Sequence, residues 1–571
     1  MTEGNESENF YQEEEWAYQE EELYDGSDQY EIIDADSLEF DIDDSQFSDD
    51  TNEIRTICNI CKSFMPDVKI DMNSRYGNLT IVIPNSFLPL SMQWSYGFLE
   101  DKTAFTIEME LDMVSCWSSK PLNFNITHPV YGINFVGRIL ALERKKNFFK
   151  PDYKPKKFYR STPFLLFGSV VVKKENIQNI MGKGFDESSA RRALSVCNNN
   201  VDDALNLLRN GIFPSTNINV SERVSYKECP LLYLILEICD AFYDLPDHCC
   251  ICGKKVTPGI RPGVCDAEIC NFQYSTIGIG QNVTNEIKKD PLAADLLITM
   301  FGLSVSTVFC NPAPVSFKDK EILEILHNLP SCDSMAKYEN DQKLIHDIGK
   351  RAGELLRWIL LSCRSHFISL KSKLKMKAFK DTEQFMALVS SPEAESAFQF
   401  LKSKYGSFFL WHGSGSEKFH SIARNGLKNY SNTQFMSSGA AFGPGIYFAR
   451  SSSTSWGYTH SRKNEYNNSA LGSNVKIISL CEIAKLPINK TIDVDIPNGE
   501  NSTKRYTGFL KEHGYAHTLT IEPACVVRFL MVSNSKNLID FDVDVVSNPP
   551  SKIPTLSSVI NYNINNIKSN H

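Results

Sequence analysis

FFLWHGSGSEKFHSIARNGL, residues 408–427, sets a strand, a turn and a helix in succession. The apolar run Phe408–Trp411 leads into His412, Gly413 and Ser414, so a buried strand ends in a polar turn. Phe419–Leu427 reads as a short amphipathic helix, and Gly426 supplies its stop. A loop over Lys428–Gly439 follows. Next comes AAFGPGIYFARSSSTSWGYT (440–459), in which Ile446–Ala449 is a short apolar strand. Lys476–Ile483 and Val526–Val532 are two more. Two common site patterns are excluded. Gly439, Gly443 and Gly445 do not fall as G-x-G-x-x-G and no GK[ST] follows them, so neither phosphate cradle is present. The run Gly413-Ser414-Gly415-Ser416-Glu417 does not satisfy G-x-S-x-G, so a hydrolase elbow is absent too.

His412-Gly413-Ser414, the GxGIYFA segment with Tyr447, and then Ser455 and Tyr458 resemble the catalytic domain of poly(ADP-ribose) polymerase-like ADP-ribosyltransferases, of diphtheria-toxin type. Within that family the chain resembles the mono-ADP-ribosyltransferase branch with a cysteine-rich segment before the catalytic domain. That likeness rests on CCICG…RPGVCDAEICNFQYST, LLRWILLSCRSHFISL and VSSPEAESAFQFLKSKYGSFFLWHGS, and covers roughly 228–535. It implies an antiparallel-sheet domain over 384–535 that takes NAD+ as substrate. On the family pattern the backbone of Gly413 pairs with the nicotinamide amide and the Ser455 hydroxyl adds a bond. Tyr447 and Tyr458 sandwich the ring, where a pyridinium gains from aromatic faces. His412 hydrogen-bonds the adenosine ribose with Ser414 beside it, and Lys428–Gly439 lies over the donor.

Two positions depart from the family. Counted back from CVVRFLMV, Ala516 stands where chain-elongating members carry a catalytic Glu, and Thr454 stands where they often have Lys. Tyr515 and His517 fit that position only by a one-residue shift, which period-two alternation turns to the other face. Polymer synthesis is therefore not expected. Transfer of a single ADP-ribose to a protein side chain, with nicotinamide released, fits a site whose acceptor brings its own nucleophile; the catalytic set is then His412, Tyr447 and Ala516. The other reading is an inactive NAD+-binding, ubiquitin-binding adaptor.

Upstream, 281–383 reads as helical, with an apolar stripe through Leu344–Leu361. The segment 228–280 contains Cys249, Cys252, Cys265 and Cys270 in the pattern C-x2-C-x12-C-x4-C, a spacing that lets four thiolates close on one structural Zn2+. A separate pair, Cys58 and Cys61, has no second pair nearby. Residues 172–213 read as three short helices, capped at Asp186 and Asn200. GFDESSARRALSVCNNNVDDALNLL resembles ubiquitin-associated (UBA) domains. That likeness implies ubiquitin contact through Gly184, Phe185, Leu207 and Leu208, although Lys183 replaces the usual Met. Over 75–160, Leu79, Ile81 and Ile83, then Phe105, Ile107, Met109 and Leu111, then LNFNIT alternate as half-buried strands, with a helix near Val136–Lys146. Three strands then a helix resemble ubiquitin-conjugating-enzyme-like and RWD modules; Cys116 has no catalytic surroundings there. The fold class is thus multidomain α+β.

Charge is unevenly placed in the 571 residues. Residues 1–50 hold 20 Asp or Glu and no Lys or Arg, so 1–55 reads as a disordered acidic tail. The rest carries 59 basic and 49 acidic residues without a Lys/Arg block, so nucleic acid is not an expected partner. The tail 547–571 is polar. The most apolar run, Pro291–Cys310, contains Asp295 and Gly302 and reads as a buried helix rather than a membrane span. Without a signal peptide the expected location is the cytoplasm, with the nucleus also open. The partners expected are ubiquitin or ubiquitinated proteins and protein acceptors of ADP-ribose, with no membrane.

Overall fold

The computed structural model describes residues 282–379, 382–431, 441–497 and 503–533 continuously, with shorter described stretches between 53 and 270 and isolated positions elsewhere. An antiparallel meander opens the described chain: β1 (Lys69–Asn73), β2 (Asn78–Pro84), β3 (Ala104–Glu110) and β4 (Asn123–Thr127), in that spatial order. Ile81, Ile107 and Ile126 stand opposite one another across β2, β3 and β4, all buried. The alternation read from the sequence therefore marks the inner face. The expected helix near Val136–Lys146 and Cys116 lie outside the described residues.

Three helices follow: α1 (Lys174–Met181), α2 (Glu187–Val196) and α3 (Val201–Asn210). Asp186 Oδ1 accepts from Ser189 N at 2.8 Å, and Asn200 Oδ1 accepts from Asp203 N at 3.2 Å, so both expected caps are in place. Ala190, Ala193, Leu194, Ala204 and Leu207 form their own small core.

Helix α4 (Pro230–Asp244) is apolar around its circumference, and the structure buries it accordingly. Its Phe242 ring lies 4.0 Å from Phe105 of β3, and Tyr243 OH donates to the Phe87 carbonyl at 2.5 Å. Buried Glu237 accepts from Tyr153 OH at 2.6 Å and Tyr159 OH at 3.2 Å. The cysteine-rich segment shares this core, through Cys249, Val264, Cys265 and Cys270. The separation into 75–160 and 228–280 is thus corrected: one core is built from both, and the three-helix unit is inserted between its halves. The helix over 53–62 joins the same core, so residues 53–55, expected within the tail, belong to this module.

The second half begins with α5 (Val283–Lys289), α6 (Pro291–Ser304), α7 (Asp319–Asn328), α8 (Cys332–Met335), α9 (Asp341–Ile348) and α10 (Lys350–Leu361). The apolar stripe read through 344–361 is split at Gly349, whose φ of +89° ends α9. Among the described residues no helix is long and apolar enough to cross a membrane. Buried Asp295 of α6 takes hydrogen bonds from Ser469 Oγ (2.5 Å), Ala470 N (2.8 Å) and Thr299 Oγ1 (3.0 Å). It so fastens the helical layer to a loop of the sheet domain.

The sheet domain comprises β5 (His366–Ser369), β6 (Glu383–Val389), β7 (Ser407–Gly413), β8 (Ile446–Ala449), β9 (Asn474–Ala484), β10 (Thr491–Pro497), β11 (Thr503–His513), β12 (Ala516–Leu519) and β13 (Cys525–Ser533). The spatial order is β10-β11-β12-β8-β7-β9-β13-β6-β5, every pair antiparallel, with the two-residue strand Arg462–Lys463 added on β9. The expected boundary at 384 is thus too late, because β5 already belongs to this sheet.

Helix α11 (Pro392–Tyr405) precedes β7 and α12 (Phe419–Asn425) follows it. Helix α11 is held on the sheet by a buried charge network. Arg528 donates to both Glu395 oxygens (2.8 and 2.9 Å) and to Glu482 (2.8 Å); Glu482 also meets Lys402 (2.7 Å) and Ser407 (2.6 Å). Burial pushes both carboxyl groups up, but Arg528 and the other donors outweigh it and hold them below the usual carboxylate range. This stability is therefore present above the unfolded value of about 4.3 and is lost as pH falls through the lowered folded values. Replacing Arg528 with Met strands two buried carboxylates. It should cost about 3–5 kcal/mol, read as a lowered denaturant midpoint at pH 7, and the loss should shrink in acid.

Candidate active site

Strand β7 pairs with β9 over its whole length, from Ile478↔Gly413 to Ala484↔Ser407. With β8 it shares one pair, Ala449↔Trp411. Past that pair the two strands part, and a cleft of about 210 Å³ opens against them. His412, Gly413, Ser414, Tyr447, Ser455, Tyr458 and Ala516, the residues singled out in the sequence, all line it.

His412 Nδ1 lies 2.8 Å from the Tyr447 carbonyl oxygen. A carbonyl only accepts, so Nδ1 carries the proton and Nε2 is left as an acceptor. Burial pushes the imidazole down to about 4, against the opposing hydrogen bond to Tyr447, so the ring is neutral at physiological pH. Ser479 Oγ donates to the His412 carbonyl at 3.2 Å, fixing the strand from its other side.

A side chain at 413 has no room. A Cβ there would fall 1.9 Å from the Ser455 carbonyl oxygen, because α13 (Ser452–Trp456) meets the end of β7 backbone to backbone. The Tyr447 hydroxyl donates to the Gly443 carbonyl at 2.6 Å and accepts from Phe442 N at 2.9 Å, so it pins the loop before β8. Gly445 N donates to Ser431 Oγ at 2.9 Å, and Asn429 N donates to Glu522 at 2.8 Å. These bonds anchor the start of the loop expected over the donor; its part over 434–440 lies outside the described residues.

Ala516 stands opposite Ala449 of β8 and His513 of β11, buried against the cleft wall. His517 faces away, as alternation requires; it is buried and its ring lies 5.9 Å from Phe408. The same argument fails for Tyr515. It belongs to the turn before β12, where alternation has not begun, and its exposed ring lines the cleft. Phe442 stacks on His513 at 4.2 Å and meets Tyr515 edge-on at 6.1 Å. Phe309, Lys418 and Tyr430 also line the cleft. Tyr430 falls in the loop expected over the donor; nothing in the sequence pattern marks the other two, since short turns carry no period.

Outside the cleft, the sulfurs of Cys249, Cys252, Cys265 and Cys270 all lie within 4.8 Å of one another and could hold one metal ion. In the three-helix unit Gly184 is exposed with φ +94°, and Phe185 and Leu208 are half-buried. Leu207 is corrected: it is 2% exposed and packs inward, so it cannot serve as a contact. Met181, 42% exposed at the end of α1, is an apolar surface residue the sequence reading passed over. For the cleft, Gly413→Ala should displace α13 from β7, at a cost of about 1–3 kcal/mol in thermal or denaturant unfolding.

The family model of the poly(ADP-ribose) polymerase catalytic domain matches residues 372–520, and that of the UBA/TS-N domain matches 172–208. Protein mono-ADP-ribosyltransferase PARP8 of Mus musculus is 30% identical over 322 residues, 47% of this chain and 38% of that protein. Its Homo sapiens counterpart is 31% identical over 246 residues, 39% of this chain and 29% of that protein. Protein mono-ADP-ribosyltransferase PARP16 of Mus musculus is 24% identical over 217 residues, 35% of this chain and 64% of that protein. The matched part therefore spans about a third of the length of the first two relatives. Cleft and comparisons agree: the chain carries a poly(ADP-ribose) polymerase catalytic domain over 372–520 and a UBA domain over 172–208.

Proposed function

We propose that the chain is a protein mono-ADP-ribosyltransferase, moving one ADP-ribose from NAD+ to a protein side chain and releasing nicotinamide. The observation that carries this reading is the convergence of His412, Gly413, Tyr447, Ser455 and Tyr458 on one cleft. The relatives' names, mono-ADP-ribosyltransferases, point the same way.

Breaking the nicotinamide–ribose bond returns its electron pair to the ring and leaves an oxocarbenium-like ribose. The ring bears positive charge until the bond breaks, and the Tyr447 and Tyr458 faces favour it. Gly413 ends β7 beyond the last pair with β8, which suits a backbone partner for the nicotinamide amide. The Ser455 hydroxyl would add a bond. Neutral His412 offers Nε2 to a ribose hydroxyl, with Ser414 beside it. Lys418 and Lys428 bring positive charge to the cleft for the pyrophosphate.

The acceptor nucleophile then bonds to the ribose carbon and loses its proton. Ala516 has no group to take that proton or to orient an incoming ADP-ribose hydroxyl, so elongation is not supported and the acceptor's own surroundings take it. The same residue favours the second reading, an NAD+-binding adaptor that transfers nothing. In either case the UBA domain would recruit ubiquitinated proteins, and Zn2+ on the four cysteines would brace the module before the catalytic domain, its shell closed by four protein ligands.

Purified chain incubated with labelled NAD+ should label itself. His412→Ala and Tyr447→Ala should reduce labelling by about 10²-fold or more. Labelling that persists in both variants refutes the assignment, and a folded wild type that binds NAD+ without transfer supports the adaptor. Because His412 titrates near 4, labelling should show no inflection near pH 6.5 from this group. An inflection there that disappears in His412→Gln would contradict its neutral role.

A further inference from the structure

Arg424 and His420 sit one turn apart on α12 and are 6% and 0% exposed, yet neither lines the cleft. A buried guanidinium is ordinarily held by a carboxylate, because a charge withdrawn from water without a partner is costly. Among the described residues no Asp or Glu pairs with Arg424. Its Nη2 donates to the Ile359 carbonyl, in the last turn of α10, at 2.8 Å. Its guanidinium lies 5.3 Å from the centre of the Trp358 ring. Nη1 donates to His420 Nδ1 at 3.2 Å, and Nε is buried with no partner. Since Nδ1 accepts, the His420 proton is on Nε2, which donates to the Pro312 carbonyl at 2.8 Å. Burial, with Arg424 beside it, keeps that ring neutral.

From this relay we infer that Arg424 and His420 are positioning residues for the donor: they lock one wall of the cleft to the helical layer, which thereby takes part in NAD+ binding. The inference rests on the reading of the cleft as an NAD+ site. Three observations carry it. The first is what the relay joins. It links α12 to α10 and to the loop that follows α6, and Asn425 Nδ2 adds a bond to the Asn311 carbonyl of that loop at 3.0 Å.

The second is where the joined parts lead. Lys418, Ser421 and Ile422, at and within α12, line the cleft, and so does Phe309 of the loop. Lys418 Nζ lies 4.9 Å from the centre of the Phe309 ring, so the two meet across the same wall. The third is the chemistry. A cation with no counter-charge and an orphaned Nε is a poor choice for stability alone, and apolar residues often replace buried charges without loss. What arginine adds is a rigid fork, with donors held at a fixed separation. Here one prong takes α10 and the other takes His420, so the angle of α12 is set between them.

The nicotinamide end is built differently. Gly413, Tyr447, Ser455 and Tyr458 stand on β7, β8 and the chain around α13, and neither Arg424 nor His420 hydrogen-bonds to them. A positioning role therefore touches the two ends of the donor unequally. The alternative, a tie that only stabilises the domain, touches both alike.

The two are separated by calorimetric titration of the purified full chain with NAD+ and, in parallel, with benzamide, which has the ring and amide but no ribose or phosphate. Arg424→Met should weaken NAD+ binding by about 10-fold or more and leave benzamide binding unchanged. His420→Leu should do the same. His420→Gln, whose amide can accept from Arg424 and donate to Pro312, should keep NAD+ affinity near that of the wild type. In the labelling assay the KM for NAD+ should rise in the first two variants while kcat holds. Wild-type NAD+ affinity in folded Arg424→Met overturns the proposal, and so does a parallel loss of NAD+ and benzamide. If Arg424→Met does not fold, His420→Leu and His420→Gln decide by the same readouts. A folded wild type that binds neither ligand refutes the NAD+ reading itself, so the two failures are told apart.

Discussion

The cleft exists because two neighbouring strands stop pairing. After Ala449↔Trp411, β7 and β8 part, while β7 stays fully paired to β9. A sheet interior normally satisfies every N–H and C=O, so leaving a ladder early is costly unless something else holds the strands. Here the His412 imidazole reaches across to the Tyr447 carbonyl. The Tyr447 hydroxyl ties down the loop that leads into β8. The same residues that keep the gap open thus line it. The absence of a Cβ at 413 lets α13 close the end of the gap. Burial keeps His412 neutral, so Nε2 stays an acceptor across physiological pH.

Elsewhere the chain uses buried polar groups as fasteners between layers. Asp295 attaches the helical layer to the loop at Ser469–Ala470, and Arg528 with Glu395 and Glu482 attaches α11 to the sheet. In the N-terminal module Glu237 gathers Tyr153 and Tyr159. Each is fully partnered, as groups withdrawn from water must be. These ties use charge and geometry where apolar packing alone would allow elements to slide. The UBA domain has its own core and is inserted into a module whose two halves share another. That arrangement leaves the UBA core independent of the module it interrupts.

Much of this was legible from residues alone. β2, β3 and β4 alternate with period two because one face is buried, and the UBA caps Asp186 and Asn200 stand where their side chains act. The cleft residues were found by likeness to a family, since nothing in composition or period marks His412 or Ser455. What was missed has physical causes. β1, KIDMN, is too short and polar for its pattern to stand out. α4 is buried all round, so it lacks the stripe that would signal a helix. The shared core of the N-terminal module, and the meeting of Cys61 with Cys229, depend on contacts between distant segments that no local pattern encodes. Strand alternation does not govern Tyr515, which belongs to a turn, and the UBA likeness points to Leu207 as a contact although it fills the UBA core.

On the proposed function, the cleft around His412 transfers single units, because Ala516 supplies no group to activate a further ADP-ribose hydroxyl. The most direct test is phosphodiesterase digestion of the adduct formed by the purified chain with adenine-labelled NAD+. A single unit releases its label as AMP, whereas a unit inside a polymer releases it as phosphoribosyl-AMP. AMP alone is expected. Phosphoribosyl-AMP in the digest would contradict it and would mean that another residue completes the site.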